Sequence, residues 1–138
     1  MAIHPNSIVN YVPQNSIKEI HHMEFGDIYF LRNTIIAEIA EGMVYGWESG
    51  KKVIELAEKF YGIDSRLNYM ANRIHDYTVI AQDWTRFFSE NKSLQNFCIV
   101  THGNTGVTNI AIERIFYKDG EIQHFTNLID ALKFLKEM

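Results

Sequence analysis

Apolar positions recur along the chain with two different periods, and the switches between them mark out the elements. Ile20, His22 and Glu24 begin a strand-like alternation that resumes at Ile28 and Phe30, with Gly26-Asp27 as a bulge or turn between. Asn33 punctuates the end of residues 27–32, and the isoleucine-rich residues 34–40 follow as a partner strand, so the two predict a β-hairpin. Glu41-Gly42 breaks the alternation. A helical period then runs from about Tyr45 to Tyr61, where Val53, Leu56, Ala57 and Phe60 fall at i, i+3, i+4 and i+7. Gly62 is placed to end that helix.

The second half alternates strand with helix. Residues 66–73 read as a strand, with Leu67, Tyr69 and Ala71 set against Asn68, Met70 and Asn72. A loop over residues 74–82 leads to a short helix over 83–90 whose inward face is Trp84, Phe87 and Phe88. Phe97-Cys98-Ile99-Val100 is a continuous apolar run, as expected of a strand buried on both faces. Residues 101–105 turn the chain into a helix over 106–117, which Lys118-Asp119-Gly120 closes, and residues 121–125 form a short edge strand. Thr126-Asn127 caps a last helix that buries Leu128, Leu132 and Leu135. The expected fold is α/β: a mixed sheet with an opening antiparallel hairpin, then βα units, and about four helices. Residues 1–16, with Pro5, Pro13 and several Asn and Ser, predict a flexible N-terminal arm before a single domain over 17–138.

Composition narrows the function classes. The chain has 138 residues, 46% hydrophobic and 22% charged, which suits one globular core rather than disorder. A formal net charge of −4 and a pI near 5.8 argue against a nucleic-acid binder, which relies on a basic surface. The longest apolar runs fall far short of the ~18 residues a membrane span needs, and the N-terminus lacks the pattern of a signal peptide. Cys98 is the only cysteine, which fits a reducing compartment, so a cytoplasmic location is expected. Aromatics at 13% exceed what a small core needs, which points to a protein partner or a homodimer.

The order of elements resembles that of STAS domains, the SpoIIAA-like family of bacteria. The likeness covers about residues 25–138. It is carried by the helix after Ile39-Ala40-Glu41-Gly42, by the apolar strand over 97–101 running into a helix, and by His124-Phe125-Thr126-Asn127-Leu128-Ile129-Asp130-Ala131-Leu132, where a strand delivers the chain to an Ala/Leu-rich helix. The resemblance implies a non-enzymatic regulatory role, binding a partner protein under control of a phosphorylated serine in the turn after a central strand. The corresponding stretch here is Asn72-Arg73-Ile74-His75-Asp76-Tyr77-Thr78-Val79. It holds neither serine nor glycine; Tyr77 and Thr78 are its hydroxyls.

The same loop is the main candidate for chemistry read from the residues themselves. At the carboxyl end of a central parallel strand, Arg73 could clamp an anion, and His75 beside Asp76 could exchange protons near neutral pH. The alternative is a solvated loop of ordinary polar residues. Thr101-His102-Gly103-Asn104-Thr105-Gly106 is a strand-to-helix turn whose amides could attract an anion, with Asn104 or Thr105 as N-cap. Its glycine spacing is neither a P-loop nor a dinucleotide fingerprint. The six histidines, including the strand neighbours His21 and His22, show no zinc spacing, and no second cysteine helps, so no metal or cofactor is expected. Cys98 in an apolar strand reads as structural, and no two carboxylates pair as acid and base. Trp47 and Trp84, near helix starts, are candidate partly exposed interface aromatics. A lipid-sized apolar pocket is not expected, because so short a chain with short helices leaves little room. The reading is thus a non-enzymatic interaction domain, with a small-ligand or anion-binding domain as the alternative.

Overall fold

The computed structural model describes residues 3–90, 94–118 and 120–138. Among the described residues, eight strands and four α-helices follow one another as β1 (Glu19–Met23), β2 (Gly26–Phe30), β3 (Thr34–Ile39), β4 (Val44–Tyr45), α1 (Trp47–Tyr61), β5 (Asn68–Asn72), β6 (Thr78–Val79), α2 (Asp83–Glu90), β7 (Asn96–Val100), α3 (Ile110–Phe116), β8 (Ile122–Phe125) and α4 (Leu128–Phe134). The main sheet has the order β1-β2-β3-β5-β7-β8. Its first three strands are antiparallel neighbours and the rest pair in parallel, so the expected mixed α/β architecture is present.

The strand order never reverses. Each of α1, α2 and α3 connects a strand to its next neighbour in the same direction, and one hand of crossover then places all three on the same face. Side-chain parity agrees. Ile35, Ala37, Tyr69, Ala71, Phe97 and Ile99 pack with Val53, Ala57, Trp84 and Ile110 in one cluster. The alternate residues Ile36, Met70, Cys98 and Val100 pack with Leu128, Ala131 and Leu132 of α4 in the other. Period-two alternation thus separates two cores. Where β3 and β5 are covered on both faces, every residue is buried.

Several elements depart from expectation, each for a local reason. Tyr45 does not open α1; with Val44 it forms β4, which pairs in parallel with β6 inside the predicted loop 74–82. The helix expected over 106–117 is confined to Ile110–Phe116, because Gly106 and Asn109 have φ of 84° and 71°, in the left-handed region that a right-handed helix cannot use. Asp119 of the proposed closing turn lies outside the described residues, as does the side chain of Phe88. Trp84 is not an exposed aromatic: it is 6% accessible, between Tyr69 and Phe97.

The N-terminal segment does not hang loose. Ile8 and Val12 enter the α4-side core. Ser7 Oγ and the Ile8 N–H each donate to the buried Glu38 carboxylate of β3 at 2.7 Å. A polar composition suggested a free arm, but a buried acceptor 30 residues downstream holds it. At the other end of β3, Glu137 accepts from the Thr34 hydroxyl at 2.7 Å and from the Asn33 N–H at 3.0 Å.

Candidate functional site

The loop leaving β5 is fixed before any ligand is considered. Its first residue continues the sheet, as the Arg73 N–H donates to the Val100 carbonyl. Strand parity then turns the Arg73 side chain toward the face covered by α1, α2 and α3. There Nη2 lies 2.8 and 2.7 Å from the two oxygens of Glu113, which α3 presents inward. The Trp84 indole N–H of α2 donates to the same carboxylate at 3.1 Å. Arg73 is 3% exposed and Glu113 not at all, so this is an interior ion pair. Burial works against the Arg73 charge, but Tyr77 and Glu113 outweigh it and keep the guanidinium charged. The Arg73 Nε has no hydrogen-bond partner among the described residues. Tyr77 stacks under the guanidinium, 5.6 Å from ring centre to Cζ, and burial raises its phenol.

The remaining loop residues tie neighbouring segments together. His75 Nδ1 is 3.7 Å from Glu41, and its ring meets that of His4 edge-on at 5.2 Å. The Asp76 N–H donates to Glu41 at 3.2 Å, while Asp76 Oδ1 accepts from the Gly106 N–H at 2.9 Å. The Gly106 backbone runs so close to Arg73 that a Cβ there would overlap the arginine's own. These contacts bring the 73–78 loop and the 103–106 turn against each other. Between them lies an open cleft of about 220 Å3, with Arg73, His75, Asp76, Tyr77 and Thr78 on one wall and Gly106, Thr108 and Asn109 on the other.

Asn104 and Thr105 do not cap α3. Asn104 is exposed, and Thr105 pairs with His102 through their backbones. Asn109 holds the capping position without a side-chain bond. Glu113, the residue sequence reasoning passed over, did leave a signal: it falls three residues after the buried Ile110, where a helix expects an apolar side chain. A carboxylate in a core stripe calls for a partner.

A second polar chain lies on the opposite face. Asn72 Nδ2 donates to Glu38 at 2.8 Å, and Asn72 Oδ1 accepts from His102 Nε2 at 2.8 Å. Burial raises the Glu38 carboxyl, and the donors Ile8, Ser7 and Asn72 restrain that rise. Burial, with His4 nearby, lowers His102. Burial also pushes the Cys98 thiol up to about 12, so it is no thiolate at neutral pH.

The cleft therefore offers little to an anion. Glu113 neutralises its one guanidinium, and the exposed Asp76 adds negative charge. Among the described residues no group of His, Cys, Asp and Glu is arranged to hold a metal ion, and no helix is long and apolar enough to cross a membrane. No family model matches the chain, and no curated protein or solved structure matches it significantly.

Proposed function

We propose that this chain is a non-enzymatic, STAS-like regulatory domain that binds a partner protein through the outer face of α3. One observation carries the reading: Arg73, Trp84 and Glu113 hold α3 from behind, while Ile112 and Ile115 on its outer side remain 47% and 64% exposed. Seven residues make a helix too short to persist alone, so its position is set by that interior network. The polar loop is consumed in building the support, and apolar side chains on a fixed helix are what a partner can bury. The strand and helix order agrees with the family likeness, and the missing serine implies control by something other than phosphorylation at that turn.

The test is co-purification from the native cell with wild type and with Ile112→Ser/Ile115→Ser. The double variant should keep its circular dichroism and Tm and lose the partner. A partner retained at wild-type level by a folded double variant would end the reading. Light scattering separates a heterologous partner from a second copy, which would double the mass.

The cleft supports a second reading, a site for a small ligand. At about 220 Å3 it is below the ~300 Å3 of ordinary ligand pockets, and its charge favours a neutral polar molecule over an anion.

A further inference from the structure

Beneath α1 the packing is incomplete. A cavity of about 110 Å3 lies between α1, α2 and the sheet, walled by Val53 and Ala57 from α1, Trp84 and Phe87 from α2, and Tyr45 and Tyr69 from the strands. Protein interiors contain few voids larger than a water molecule, and apolar walls give water nothing to bond to. The cavity follows from residue choice. Gly50 lets α1 sit directly on Phe87, since a Cβ there would overlap the ring, and Val53 and Ala57 are too small to fill the space beyond it. The void is not sealed: Glu58 and Ser65 stand at its rim.

We propose that this cavity is a binding site for a small, single-ring apolar molecule carrying at most one polar substituent. The size selects it: an apolar cavity of about 150 Å3 takes benzene, so a smaller space of about 110 Å3 that opens at its rim suits one ring inside with any substituent at the mouth. The walls select it as well, offering aromatic edges and faces from Tyr69, Trp84 and Phe87. The polar rim would receive a substituent directed outward. Trp84 cannot swing aside to fill the space, because its indole N–H is tied to Glu113. The site is separate from the outer face of α3 and does not depend on that face binding a partner.

The probe is toluene, followed by thermal unfolding and by the indole N–H resonances of Trp84 and Trp47. Binding should raise Tm by roughly 4–6 °C at ten times Kd. It should move the Trp84 resonance more than that of Trp47, which stands behind Phe87 and outside the cavity wall. Ala57→Leu, which fills the void from α1, should abolish both responses while keeping the fold; if it does not fold, Val53→Ile should weaken them. A wild-type protein with no Tm change at the solubility limit of toluene would overturn the proposal. So would an undiminished response in the folded cavity-filled variant.

Discussion

Glu113 and Glu38 are both buried carboxylates, one on each face of the same sheet. On the face of the crossover helices, Glu113 meets a guanidinium and an indole N–H. On the α4 face, Glu38 accepts from a serine hydroxyl, a backbone N–H and an amide, with the Tyr29 phenol beside it, and pairs with no cation among the described residues. The first charge is cancelled and the second is only solvated. A cancelled pair fails when either partner is lost. A solvated carboxylate keeps the option of taking up a proton, and its setting favours that option: burial raises the Glu38 carboxyl, and Ser7 can reverse its hydroxyl to accept.

The largest expected effect breaks the cancelled pair. Glu113→Ala leaves Arg73 charged in the interior and should cost about 3–5 kcal/mol in chemical denaturation. The double variant Arg73→Met/Glu113→Leu should cost less than that single change, and a larger loss would show the pair to be a net source of stability. Glu38→Leu comes next, at about 1–3 kcal/mol for each donor it orphans, with Ile8 and Asn72 the two that cannot turn away.

Smaller effects appear in the pH dependence. Because the folded Glu38 carboxyl lies above its unfolded value, its contribution is fully present below about 4.3 and is lost as the pH rises through the folded value. Between pH 4 and 7 wild type should therefore lose stability relative to Glu38→Gln; the opposite slope would show that the carboxylate, not the acid, is the better-held form. The smallest effect opposes it. His102 is lowered, so its contribution is present above about 6.5 and falls away on acidification through the folded value. A histidine titration followed by NMR should place His102 below the ordinary imidazole value of about 6.5.

Much of this architecture was legible in the sequence because it rests on periodicity. The run Phe97–Val100 announced a strand buried on both sides, and Val53 and Ala57 mark the buried stripe of α1 as expected. Phe60, assigned to that stripe, stands 39% exposed against Phe30 and Tyr61. Long-range pairing was not legible. Nothing near Arg73 in the chain reveals Glu113, 40 residues on, so a side chain read as an anion clamp proves to be a brace. The docking of Ile8 and the start of α3 were hidden for kindred reasons: one depends on a distant acceptor, the other on left-handed backbone at Gly106 and Asn109.

The clasp on β3 bears on the order of events during synthesis. The strand is held near its carboxyl end by Ser7 and Ile8, which leave the ribosome before it, and at its amino end by Glu137, which follows Thr34 by 103 residues. The early clasp is ready as soon as β3 emerges; the late one cannot close until α4 has been made. A nascent chain thus lacks the Glu137 clasp through most of translation, while Tyr61 and Asn68 hold the Thr34 end, and a chain cut before Glu137 lacks that clasp permanently.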